Sequence, residues 1–192
     1  MIPASPSGTA RAGGGLAARA QALALLQAVL RRRRPLDEAL AASSPERLAP
    51  RDRAFTRRLV ATTLRRLGQI DAVLDACLER PLPARAGTVR DVLRLGACQL
   101  LFLRVPPHAA IDTAVQQVAA RGGEGGYKGL VNAVLRRIDR EREALLGRAA
   151  PALNTPAWLS RSWTAAYGPR TAAAIAAAHL EDPPLDISLN TG

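Results

Sequence analysis

Apolar residues in this chain recur every three or four positions, in stretches parted by proline or glycine, and that spacing calls for helices. Leu16, Ala20, Leu23, Leu26 and Leu30 make the first stripe, followed by Arg31–Arg34 and Pro35, so a helix is predicted over 16–33. A short helix over Leu36–Ala42 and a loop over Ser43–Pro50 come next. Phe55, Leu59, Val60, Leu64 and Leu67 predict a third helix over 51–67, with Gly68 as its end. Ile70, Val73, Leu74, Cys77 and Leu78 predict a fourth over 69–80, broken by Pro81–Pro83. The most apolar segment, Thr88–Leu103, carries Val89, Val92, Leu93, Leu100 and Leu103 at helical spacing and is the expected central helix. Gly96 within it lowers helix propensity, which predicts a close approach of a neighbouring helix. Pro106 and Pro107 open a sixth helix that turns Ile111, Ala114, Val115 and Val118 inward, and His108 is expected to help cap it. Aromatics are only 3% of a chain that is 48% hydrophobic, so Leu, Val, Ile and Ala must fill the core and strand-forming runs are scarce. The expected class is all-α.

A seventh helix is expected from Lys128 to Leu146, and its start has two chemically distinct faces. Leu130, Val131, Val134, Leu135 and Ile138 gather on one side. Lys128, Asn132 and Arg136 fall on the other, where they offer donors suited to phosphate or RNA. The same pattern also fits an ordinary solvated outer face. Two more basic groups stand out. Arg31, Arg32, Arg33 and Arg34 close the first helix, where the helix dipole favours positive charge. Four in a row cannot all face one way, and their mutual repulsion opposes that gain. Arg51, Arg58 and Arg65 repeat every seven residues and form a ridge on the third helix with no acidic neighbours, read either as a polyanion-binding surface or as a solvated ridge.

The net charge is +11 and the isoelectric point about 11.4, which points to an acidic partner, nucleic acid first. All but one of the 27 basic residues are arginine, a bias that genome composition can also produce. Cys77 and Cys98 sit in apolar helical context and read as buried, inert thiols; two cysteines make no framework. With His108 and His179 far apart there is no metal-ligand spacing, so no metal is expected. No run of about 18 apolar residues suggests a membrane span, and the start, MIPASPSGTARAGGG, lacks a signal-peptide pattern. A cytoplasmic protein is expected.

Residues 1–15 read as a disordered arm and 16–148 as one helical domain. The glycine-rich RGGEGGYK, Arg121–Lys128, follows a helix and lacks the nucleotide-loop pattern, so a flexible surface loop is expected there. From 149 to 192 comes an Ala-rich unit, Thr155–Gly168 and then PRTAAAIAAAHLE, with Thr155 as expected N-cap before Pro156. Leu185–Asn190, LDISLN, alternates apolar and polar residues and reads as the first strand of a further domain.

RDRAFTRRLV, LRLGACQLLFL, VPPHAAIDTAV and KGLVNAVLRR, in this order and spacing, resemble the NusB-like all-helical domain. The PPHAAIDTAV and VNAVLRR versions are most similar to the one heading bacterial ribosomal-RNA cytosine-C5 methyltransferases of the RsmB/Sun type. PAWLSRSWTAAYG and HLEDPPLDISLN resemble the linker helices and first strand that lead into the methyltransferase part. The resemblance implies a bundle of about seven helices, plus linker helices and the start of a strand, that binds or positions RNA. The expected partners are ribosomal RNA of the 16S class and an absent methyltransferase domain in cis. It implies S-adenosylmethionine for that absent domain and no cofactor for this chain. Neither cysteine lies in the family's Pro-Cys or Thr-Cys motifs, so the chain alone is not expected to be an enzyme. The alternative is a free-standing NusB-like transcription antitermination factor.

Overall fold

A computed structural model describes residues 11–43 and 48–182. Among these residues every regular element is helical: α1 (Arg11–Leu30), α2 (Leu36–Ala42), α3 (Pro50–Arg65), α4 (Leu67–Cys77), α5 (Gly87–Leu101), α6 (Pro107–Ala119), α7 (Lys128–Arg140), α8 (Arg142–Arg148) and α9 (Ala157–Ala178). Short 3-10 turns lie at Ala84–Ala86, Gly125–Tyr127 and Pro151–Asn154. The strand expected over Leu185–Asn190, the first ten residues of the expected arm and positions 44–47 of the expected loop lie outside the described residues.

The bundle is organised around α5, as the apolar run predicts. Eleven of its fifteen residues are buried, so it is covered nearly all round. Helices α1, α3, α4, α6 and α7 pack against it. Leu93, Leu95 and Leu100 are almost wholly out of water, each worth about 1.5–3 kcal/mol of burial. Gly96 has the expected role: a Cβ there would lie 2.7 Å from Leu135 Cδ1, so its absence lets α5 and α7 close up.

Amphipathic spacing sends polar residues outward, yet Arg19, Thr56, Thr63, Gln69, Asp91, Gln99 and Gln117 are buried. Most of them satisfy groups between helices. Arg19 Nε donates to Gln99 Oε1 at 2.6 Å, and its guanidinium lies 4.8 Å over the Phe55 ring. Burial holds the Arg19 pKa below its ordinary value, with Asp52 acting in the opposite direction. Thr56 Oγ1 lies 2.8 Å from Asp52 O in its own helix and 3.1 Å from Ala18 O, so its one proton is shared between α3 and α1.

Several expected boundaries move. α1 ends at Leu30, α4 at Cys77, and the seventh helix breaks at Glu141 into α7 and α8. Gly68 is not a helix end. It sits in the first turn of α4, where a Cβ would meet Leu153 O at 1.9 Å, so its task is to admit the Pro151–Asn154 turn. His108 makes no cap, because the N-cap of α6 is Pro106. Thr155 makes none either: it closes the preceding 3-10 turn, and Pro156 takes the N-cap of α9.

The ends of α1 and α5 are built alike. Arg32 N–H donates to Gln27 O at 3.3 Å and Arg34 N–H to Ala28 O at 3.1 Å. Leu103 N–H donates to Cys98 O at 3.2 Å and Val105 N–H to Gln99 O at 3.1 Å. Each wrap needs one residue in the left-handed region, and these are Arg33 (φ 54°) and Arg104 (φ 50°). Glycine usually takes such a position, since a Cβ there costs about 1–2 kcal/mol.

α9 is not one rod. Gly168 has φ 78° and ψ 163°, a conformation that suits glycine, and Pro169 follows. In a straight helix Trp163 and His179 would stand about 24 Å apart at 1.5 Å per residue. Their rings instead meet edge to face at 5.1 Å between centroids. Residues 157–167 and 169–178 therefore fold back on each other as a hairpin, and that returns Leu180–Asp182 to the end of α3. No helix among the described residues is long and apolar enough to cross a membrane.

Candidate nucleic-acid interface

The three basic groups expected from the sequence sit in different electrostatic settings. Arg31 is committed: its Nε and one terminal nitrogen donate to Asp91 Oδ2 at 3.0 and 2.6 Å. Asp91 is 2% exposed, and its other oxygen accepts from Arg94 at 2.9 Å, so Arg31 helps neutralise a buried carboxylate. Arg32, Arg33 and Arg34 are exposed and make no ion pair among the described residues. The run of four thus divides into one structural residue and three that face solvent.

On α7, Lys128 and Arg136 are exposed and Asn132 is half-buried. Arg136 Nε donates to Asn132 Oδ1 at 3.1 Å, which pre-orients that guanidinium along the helix. Arg136 also lines a cleft with His108, Asp112, Asp139 and Arg140 between the start of α6 and the end of α7. Val131, Val134, Leu135 and Ile138 are buried on the opposite face, so the two-faced reading of this helix describes its packing correctly.

The ridge on α3 divides as well. Arg51 and Arg58 are exposed. Arg65, expected to have no acidic neighbour, pairs with Asp182 Oδ1 at 2.5 Å, a partner 117 residues away in sequence. That distance put it beyond any reading of local spacing. Arg58 and Arg65 share a cleft of about 170 Å³ with Thr62, Arg66, Phe102, Leu103 and the end of α9. Arg66 was not expected from the sequence. Its guanidinium lies 5.1 Å over the Phe102 ring and donates to Gln69 Oε1 and Leu180 O at 3.2 and 3.3 Å. No hydrogen bond or ion pair among the described residues joins the α1, α3 and α7 groups to one another.

Neither thiol is set up for nucleophilic work. Burial pushes the Cys98 pKa up to about 12 and raises that of Cys77 as well. Both would be protonated at neutral pH, and the thiolate is the reactive form.

The NusB family model matches residues 16–140, from the first half of α1 to the last residue of α7. A solved structure of T. maritima NusB superposes with a TM-score of 0.58 at 29% identity, covering 66% of this chain and 91% of that one. The ribosomal RNA small subunit methyltransferase B of Xanthomonas campestris is 37% identical over 157 residues, 82% of this chain and 35% of the relative. That of Shigella flexneri serotype 5b is 33% identical over 150 residues, 76% of this chain and 34% of the relative. The chain spans about a third of the length of these curated relatives. With the family match running through the whole of the α5-centred core, the chain belongs to the NusB family of helical RNA-binding domains.

Proposed function

We propose that this chain is the RNA-positioning part of a methyltransferase acting on cytosine C5 of small-subunit ribosomal RNA. The extent of the likeness carries this reading. The methyltransferase alignment takes in 157 residues, and only fifteen precede the family match. It must therefore run past α7 into α8 and the segment leading to α9. Similarity there is what a linker to a further domain would produce. In this reading S-adenosylmethionine and the attacking cysteine belong to the remainder of the parent protein. This chain contributes affinity for the RNA through Arg32–Arg34, Arg51, Arg58 and the Lys128–Arg136 face.

The test is a salt series of binding to single-stranded segments of small-subunit ribosomal RNA. Contacts to phosphate give a log–log slope of about −0.7 each on single strands. With Arg31 committed to Asp91, replacing Arg32–Arg34 by Gln should make the slope shallower by up to about 2. The chain alone should show neither calorimetric binding of S-adenosylmethionine nor methyl transfer. Saturable cofactor binding, or no RNA binding even at low salt, would sink the proposal. The likeness to T. maritima NusB supports a second reading, a free-standing antitermination factor. A catalytic domain in the reading frame downstream of Gly192 would decide against that one.

A further inference from the structure

The cleft between the end of α3 and the end of α9 sets basic and acidic side chains face to face. Its basic wall is Arg58, Arg65 and Arg66, with Thr62 among them. Both carboxylates that line it, Glu181 and Asp182, come from the returning end of the hairpin. Phe102 and Leu103 form its apolar side.

The Arg65–Asp182 pair is lopsided. The arginine side chain is 22% exposed and the carboxylate 77%. The anion therefore keeps most of its contact with water, and such pairs hold weakly. A phosphate diester carries the same charge with better geometry, because guanidinium and phosphate can form two parallel hydrogen bonds. Arg66 is already steered into place by Phe102 and Gln69. We propose that Arg58, Arg65 and Arg66 form a pocket for an RNA backbone phosphate, and that the Asp182 carboxylate occupies it until RNA displaces it. Docking of the hairpin end and RNA binding at this corner then compete, and Glu181 and Asp182 set the threshold.

The inference rests on the RNA reading above. The experiment is fluorescence anisotropy of a single-stranded RNA oligonucleotide with the full 192-residue chain at low salt. Glu181→Gln with Asp182→Asn should bind about two- to five-fold tighter, the range expected for releasing one exposed ion pair. Arg65→Gln should bind more weakly, and adding the two acid changes to it should bring no further tightening. Circular dichroism checks folding in each case. Unchanged or weaker binding by the acid variant, or equal tightening without Arg65, overturns the pocket and leaves RNA binding in place. If no variant binds RNA, the RNA reading falls. Titration with inorganic pyrophosphate, followed on the Arg65 side-chain N–H resonance, then decides the pocket alone. A saturable shift, tighter in the acid variant, keeps it as a phosphate site, and no shift removes it.

Discussion

The bundle α1–α8 and the α9 hairpin are held by different physics. The bundle buries a continuous apolar core from Ala22 to Ala149. In the hairpin Ala172 alone is buried, while Trp158 and Tyr167 are 65% and 60% exposed. The segment is fastened at two points instead. At the first, Gly68 admits the backbone of Leu153, Gln69 N–H donates to Asn154 Oδ1 at 3.0 Å, and Gln69 Nε2 donates to Ala149 O at 2.8 Å. At the second, Arg65 and Arg66 hold Asp182 and Leu180. A core resists change by its volume, whereas a fastening depends on a few atoms. Damage to the first should unfold the molecule; damage to the second should release a segment.

The largest expected effect is on the core side. Leu93→Ala should cost about 2–5 kcal/mol, the range for truncating a buried leucine, read from urea melts. A loss under 1 kcal/mol would mean that α5 is not the centre of the core. Gly68→Ala tests the fastening. Its Cβ cannot fit against Leu153 O, so the turn must move, at a cost of about 1–3 kcal/mol. That loss should be local, seen as faster hydrogen exchange at Gln69 N–H with little change at α5 amides. Equal acceleration at both would erase the distinction between the two regions. Arg33→Gly should raise the melting midpoint, gaining about 1 kcal/mol from relief of left-handed strain. A destabilised variant would show that the arginine side chain contributes more than its backbone costs. The smallest effect is expected for Trp158→Ala, within about 0.5 kcal/mol for so exposed a residue. A larger loss would mean that the hairpin is packed against something in solution.

The helices were legible because burial of Leu, Val and Ala at helical spacing follows from chain geometry alone. Gly96 was legible for the same reason: a glycine inside the most apolar helix had to serve packing. The break at Gly168–Pro169 could be read as the seam between two Ala-rich stretches, but not the fold-back, which depends on the backbone angles of one residue. Gly68 follows an apolar stripe as a helix end would, and no local rule can see a turn arriving from more than eighty residues away. The basic groups follow the same division. Arg51 and Arg58 stand exposed on α3 as their seven-residue spacing implies, while the fates of Arg31 and Arg65 were set by Asp91 and Asp182, distant in sequence. Buried Arg19 and Asp91 were hidden for the reason that makes spacing useful elsewhere, since it treats charge as a sign of the surface.

One cluster on the bundle bears on how the molecule meets a polyanion. Asp71, Asp75 and Asp91 are matched against Arg31, Arg90 and Arg94 in a connected set of ion pairs on α4, α5 and the end of α1. Three of the chain's sixteen acidic residues are thus spent beside three of its arginines, and that patch is electrically silent. The whole excess of +11 is carried by the rest of the chain. Long-range attraction toward a polyanion therefore acts on the surface outside that patch. The ion-paired cluster adds nothing to that pull, and the rate of encounter set by the remaining charge falls with ionic strength.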